Sequence, residues 1–289
     1  GCWLSLKMVG ASRLFQILKQ ELGEHAKFVN TPPQELTEVA EDSTDVIYPN
    51  FQSPFAVTFH RAKQTLTMKE GNATNIVVLG PTGAGKSSIV NTLFNQRVAK
   101  VQAAAMSVTK HMDVYSGHFT TERGQKCELN VIDSIGFCDS VVSPKELLQV
   151  VEHFIQTNVV HVAKVIVVCS SRIEKAQADA IQDMMKWLRY SRHKSEFVFL
   201  YNKAERLNDI ERAVAVRDMC TLLDADPTHN AIFPVNEHER KQVNFAFSVG
   251  FPPGAPLTEV NDDLDALYEA VFCFNGKSID LSPRDCQIL

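Results

Sequence analysis

Asn75-Ile76-Val77-Val78-Leu79-Gly80-Pro81-Thr82-Gly83-Ala84-Gly85-Lys86-Ser87-Ser88-Ile89-Val90-Asn91-Thr92-Leu93-Phe94 is the stretch whose reading settles the fold. Its opening apolar run has no polar alternation, which is the pattern of a strand buried on both faces. Its closing residues read as a helix. Between them, Gly80 to Ser87 satisfy G-x-x-x-x-G-K-S/T at every position. Glycines at those points let backbone N–H groups turn inward and approach an anion closely. The helix that follows adds its free N-terminal donors and the positive end of its dipole. Lys86 is expected to reach the β- and γ-phosphates of a nucleotide, and Ser87 to offer its hydroxyl oxygen to Mg²⁺. Gly80, Pro81, Thr82, Gly83, Ala84, Gly85, Lys86, Ser87 and Ser88 are thus the expected phosphate-contacting positions. A chance glycine-rich turn is the competing reading, and the flanking strand and helix argue against it.

The pattern continues on either side. Strands are expected at 75–80, 111–119, 128–133, 164–169, 196–201 and 231–235, and helices near 86–97, 144–159, 173–190 and 208–223. Such alternation implies an α/β fold of the P-loop NTPase kind, with a mainly parallel central sheet and helices on both faces. A last helix fits 258–274, with Leu264, Leu267, Val271 and Phe272 on one face. This defines a nucleotide-binding domain over 71–275 and a polar tail over 276–289. Residues 1–70 form an N-terminal extension. In it, Leu14, Phe15, Ile17, Leu18 and Leu22 share a helical face that ends before Pro32 and Pro33. A polar linker over 31–55 and a short helix over 56–70 complete the extension.

Leu129-Asn130-Val131-Ile132-Asp133 is a strand ending in a carboxylate, the position from which P-loop folds hold Mg²⁺. Gly136 follows at D-x-x-G spacing, where a glycine lets the backbone N–H face a γ-phosphate and be released on its loss. Thr109, in Ser107-Val108-Thr109-Lys110, lies between the two motifs and is the candidate to close over the metal. Lys86, Thr109 and Gly136 are therefore the candidate catalytic positions, and Ser87, Thr109 and Asp133 the candidate metal ligands. After the strand Phe197 to Tyr201, Asn202-Lys203-Ala204-Glu205 occupies the place of the N-K-x-D segment of G proteins. There the Asn reads the guanine edge, the Lys stem covers the base, and the acid accepts from the two guanine N–H groups. Glu205 replaces the usual Asp and demands a shifted base or backbone. Asn236, after Ile232-Phe233-Pro234-Val235, is the candidate for a final base contact.

Together these residues resemble the septin-like branch of P-loop GTPases, and most closely the immunity-associated (GIMAP-type) and plastid Toc-type G domains. The resemblance rests on Gly80 to Ser88, Ser107-Val108-Thr109-Lys110, Asp133-Ser134-Ile135-Gly136-Phe137-Cys138-Asp139 and Asn236, and covers roughly residues 73–275. It implies GTP/GDP with Mg²⁺ as ligands, and a homo-oligomer assembled through the nucleotide face, often near a membrane. Ser134 and Ile135 stand where that family has Thr and Pro, which predicts a less rigid loop. No glutamine follows D-x-x-G to orient water, since residues 137–140 are Phe137, Cys138, Asp139 and Ser140. Hydrolysis by an isolated subunit is expected to be slow and to depend on assembly. A GTP-bound scaffold that does not turn over, or an ATPase of another P-loop class, remain the alternatives.

The bulk properties narrow the partners. A net charge of −5 gives no broad positive field for nucleic acid, and no run of eighteen apolar residues exists. Seven cysteines without zinc-site spacing fit reduced thiols in a cytoplasmic setting. Cys286-Gln287-Ile288-Leu289 has the C-a-a-X form, which would put a geranylgeranyl group on Cys286 and the protein at a membrane periphery. Gln287 is not aliphatic and no polybasic run supports that reading. Gly1-Cys2 would fit a myristoylation site only if Gly1 followed an initiator Met.

Overall fold

The computed structural model of the protein describes residues 55–67, 69–99, 112–136, 144–170, 173–202, 208–226, 267–274 and 277–281. In chain order these form β1 (Thr58–Lys63), β2 (Thr74–Leu79), α1 (Lys86–Phe94), β3 (Asp113–Thr120), β4 (Lys126–Asp133), α2 (Pro144–Asn158), β5 (His161–Val162), β6 (Lys164–Ser170), α3 (Lys175–Trp187), β7 (Phe197–Asn202), α4 (Asp209–Leu222), a helical segment at 267–272 and β8 (Ile279–Asp280). Six strands make one sheet in the order β1-β3-β4-β2-β6-β7. β2 runs parallel to β4 and β6, and β6 parallel to β7, while β3 is antiparallel to both β4 and β1.

Burial explains the central strands. Ile76 to Leu79 and Val165 to Cys169 are wholly shielded at every consecutive position, so both faces of the sheet are covered. Strands buried in this way carry no alternation, and their apolar runs are what made them readable in the sequence. α1 was expected over 86–97 and stops at Phe94, because Asn95 takes a left-handed conformation (φ 50°). α3, expected over 173–190, ends at Trp187, and Arg189 is left-handed (φ 58°) just beyond it. α4 begins where Asn208 Oδ1 accepts from the Glu211 N–H (3.0 Å) and Glu211 Oε2 accepts from the Asn208 N–H (2.9 Å), a reciprocal capping pair.

One expectation is overturned. Residues 56–70 do not form a helix: Thr58–Lys63 is strand β1, paired along the edge of β3 from Thr58↔His118 to Lys63↔Val114. The segment is short and its helical periodicity weak, so pairing with an open strand edge outweighs local preference. Phe59 seals the join, with its ring 5.5 Å from Phe94 and 6.5 Å from Tyr115. The sheet therefore reaches back past residue 71. At the other end, Ile279–Asp280 pairs with His161–Val162, so part of the expected polar tail lies against the domain as β8. The strand expected at 231–235, the first part of the helix expected over 258–274 and the helix of residues 1–30 lie outside the described residues.

β1 is tied to the next turn by charge. Glu70 accepts from Arg61 Nη2 (2.6 Å), from Lys63 Nζ and from the Thr67 N–H (2.8 Å). Burial pushes the Glu70 carboxyl up, but the bonds from Lys63 and Thr67 outweigh it and hold the group down at about 2, from an ordinary 4.5. A depressed carboxylate stabilises the fold fully above its unfolded value, and that stabilisation is lost as pH falls through the folded value. Glu70→Gln is expected to cost about 1–2 kcal/mol at pH 7, allowing for solvent screening. Urea melts at stepped pH should show the gap to wild type closing between pH 4.5 and about 2. A gap that persists unchanged at pH 2 would show that the ion pairs are not its source.

Candidate functional site

The C-terminal ends of β2, β4, β6 and β7 converge on one edge of the sheet, where ligands bind in folds of this class. Val78 stands beside Asp133, Leu79 beside Val167, and Ser170 beside Asn202. Leaving β2, the chain turns through Gly80, Gly83 and Gly85, all at positive φ. At Gly80 a Cβ would overlap the Val168 carbonyl, and at Gly85 it would overlap the Asn202 side-chain amide. The loop thus needs glycine both for its conformation and for its closeness to β6 and β7. Gly85 serves as the N-cap of α1, and its carbonyl accepts the first helical bond from the Ile89 N–H (3.0 Å).

Lys86 is buried, and its ammonium donates to the Pro81 carbonyl at 3.1 Å, folding back over the loop. Burial pushes this ammonium down, and the Asp133 carboxylate opposes the shift. Ser87 Oγ donates to Asp133 Oδ2 at 2.6 Å, joining the start of α1 to the end of β4. Burial pushes the Asp133 carboxyl up, against Lys86 and Ser87. Gly136, three residues further, abuts the loop: a Cβ there would lie 2.7 Å from the Cα of Thr82. Asn202 closes the other side, with Nδ2 donating to the buried Ala84 carbonyl at 2.9 Å. The loop, the D-x-x-G segment and the first residue of N-K-x-E, separate in sequence, therefore meet in one place. Thr109, Lys203, Glu205, Asn236 and Cys286 lie outside the described residues.

Two site residues were not anticipated. Asp113, the first residue of β3, pairs directly with Asp133 on β4. Its carboxyl is pushed up to about 7, first by burial and then by the Asp133 carboxylate, with a bond from Gln64 opposing. Centring a hairpin on Arg123 would have set the two acids opposite each other. The second is Ser134, fully buried at the end of β4, whose N–H donates to the Val78 carbonyl at 3.2 Å.

Unpartnered polar atoms mark the same place. Among the described residues five buried side-chain atoms lack a hydrogen-bond partner, and four of them are Thr82 Oγ1, Asp113 Oδ1, Asp133 Oδ1 and Ser134 Oγ. Such atoms are costly and rare in folded proteins, so their gathering at one strand edge fits a polar ligand that completes them. The donor set suits a hard cation beside an oxyanion: carboxylate and hydroxyl oxygens for the metal, an ammonium and loop amides for the anion.

The chain is similar to known proteins over part of its length. Over 79 residues the chain is 39% identical to neuronal-specific septin-3 of Mus musculus, a match covering 26% of this chain and 23% of the septin. Over 78 residues it is 36% identical to septin-9 of Rattus norvegicus, covering 26% of this chain and 14% of that one. The chain thus spans less than a quarter of the length of these curated relatives. Among solved structures, Toc33 from Arabidopsis thaliana in complex with GDP and Mg²⁺ aligns over 73% or more of both chains (74% of this one, 90% of that one) with a TM-score of 0.45 and 15% identity. The AIG1 family matches residues 74–221, from the first residue of β2 to the last turn of α4 and slightly more than half of the chain, and this protein belongs to that family.

Proposed function

We propose that the protein binds GTP and GDP with Mg²⁺ at the P-loop edge of its sheet, and hydrolyses GTP slowly as an assembly-dependent switch. The observation that carries the reading is the Ser87–Asp133 bond of 2.6 Å, set beside the buried Lys86 and beneath a loop held open by three glycines. In this reading the amides of Gly80 to Ser88 and the Lys86 ammonium bind the phosphates, and Ser87, Asp133 and Thr109 hold the metal. Mg²⁺ would neutralise charge on the β- and γ-oxygens. Gly136, which packs against Thr82, would follow the γ-phosphate in this reading, and its release on hydrolysis would make the segment a switch.

Base choice falls to Asn202, Lys203, Glu205 and Asn236. Asn202 has a double part, because its amide also pins the Ala84 carbonyl of the loop. Asn202→Ala is therefore expected to lower GTP affinity about tenfold and to narrow the preference for GTP over ATP, since a lost buried bond costs about 1–2 kcal/mol. Titration of fluorescent GTP and ATP analogues against both proteins, with and without Mg²⁺, reads both effects. Equal affinity of the unaltered protein for the two bases would remove the guanine reading in favour of an ATPase.

Without a glutamine after D-x-x-G an isolated subunit turns over slowly in this proposal, and the family resemblance supports a second copy meeting it at the nucleotide face to complete the site. Turnover per subunit should then rise with protein concentration. Bound GTP with no turnover at any concentration would make the protein a nucleotide-stabilised scaffold instead. In this proposal the protein is cytoplasmic, a reading supported by seven cysteines without zinc-site spacing.

A further inference from the structure

We propose that Asp113 supplies a second carboxylate to the divalent cation of this site, holding the cation's water shell together with Asp133. The inference rests on the Mg²⁺–nucleotide reading above and adds a residue that no motif of that reading contains. Asp113 and Asp133 are a directly opposed pair on antiparallel strands, so their side chains stand on the same face of the sheet. Ser87 occupies Oδ2 of Asp133, while Oδ1 of Asp133 and Oδ1 of Asp113 are both buried without a partner. Like charges set directly opposite each other are destabilising, and more so when shielded from water. The Lys86 ammonium is a charge that offsets Asp133. With the Lys86 ammonium turned to phosphate, that offset would be shared with the nucleotide, and a divalent cation held by the two carboxylates would replace it. Mg²⁺ keeps several of its waters and is commonly held by one or two carboxylates with substrate phosphates, and Asp113 and Asp133 supply the carboxylate part of that set. Gln64, just beyond β1, bonds Asp113 and so connects the edge strand to the metal side of the site.

The test is the Mg²⁺ dependence of GDP binding in Asp113→Asn, read by fluorescent GDP titration over a range of free Mg²⁺ and again in EDTA. The half-saturating Mg²⁺ concentration should rise roughly tenfold, the scale of losing an outer-shell partner. Affinity for GDP in EDTA should be unchanged or tighter, because a negative charge near the phosphates is gone. Mn²⁺ titration followed by electron paramagnetic resonance should show the same weakening without reference to turnover. A half-saturation within about twofold of wild type, against that expected scale, overturns the proposal, as does an equal loss of GDP affinity with and without metal. Should the amide variant not fold, Asp113→Val, which suits a strand, is put through the same titration. Asp133→Asn run in parallel separates the two levels. If it abolishes the Mg²⁺ dependence while Asp113→Asn leaves it intact, only the role of Asp113 falls. If neither variant alters the Mg²⁺ dependence, the metal–nucleotide reading itself falls.

Discussion

Lys86→Ala is expected to lower GTP affinity by a factor of about 100 or more, equivalent to about 2.7 kcal/mol, with the fold kept. A hydrogen bond to a charged group contributes about 1.5–3 kcal/mol, and this ammonium would face two phosphates rather than one. The effect on stability should be small and of either sign. Lys86 is buried, and burial pushes its ammonium down, so the folded protein bears a cost for the charge that alanine removes. Against this, Asp133 loses the cation that opposes its own upward shift, and it will take up a proton more readily. The Ser87–Asp133 bond does not involve Lys86 and should persist. Isothermal titration and thermal melts of the nucleotide-free protein measure the two parts separately. Unchanged affinity would show that the loop does not hold polyphosphate. A collapse of the melt would show that Lys86 is a structural ion.

The largest loss of stability is expected at Tyr268, outside the span matched by the family. Tyr268 is fully buried in the helical segment 267–272. Its hydroxyl donates to the Thr92 carbonyl at 2.7 Å and lies 3.2 Å from that of Leu93, in the last turn of α1, where the Thr92 carbonyl also accepts from the Asn95 N–H at 2.9 Å. Its ring stacks 5.8 Å from Phe272, which in turn lies 5.3 Å from Phe119 on β3 and 5.6 Å from Phe55 ahead of β1. Tyr268→Ala should cost about 3–5 kcal/mol, as large aromatic truncations in cores do. Tyr268→Phe keeps the ring and should cost about 1–2 kcal/mol for the lost bonds. Denaturant melts of the two variants divide packing from hydrogen bonding. If Tyr268→Ala costs under about 1 kcal/mol, the value of an ordinary surface change, the C-terminal segment is not part of the cooperative domain. Since α1 begins at the P-loop, a destabilised α1 end should also weaken nucleotide binding, though less than Lys86→Ala does.

Residues 75–94 made the loop, its strand and its helix legible because each is a local matter. A glycine pattern specifies backbone conformation within eight residues, and an unbroken apolar run specifies burial on both faces wherever the strand ends up. The central strands, α2 and α4 were readable within a residue or two for the same reason. β1 was not, because its segment has no strong period of its own and takes its form from the free edge of β3. Asp113 belongs to no motif of the sequence, and only the antiparallel register sets it opposite Asp133. Asn202 was read for a base, and its grip on the Ala84 carbonyl, 118 residues away, emerged only from β7 lying next to β6 and β6 next to β2. Helix and turn preferences act over a few neighbours along the chain. Strand partners, burial of a given carboxylate and the meeting of distant motifs depend on pairings between remote segments, which one-dimensional order does not encode residue by residue.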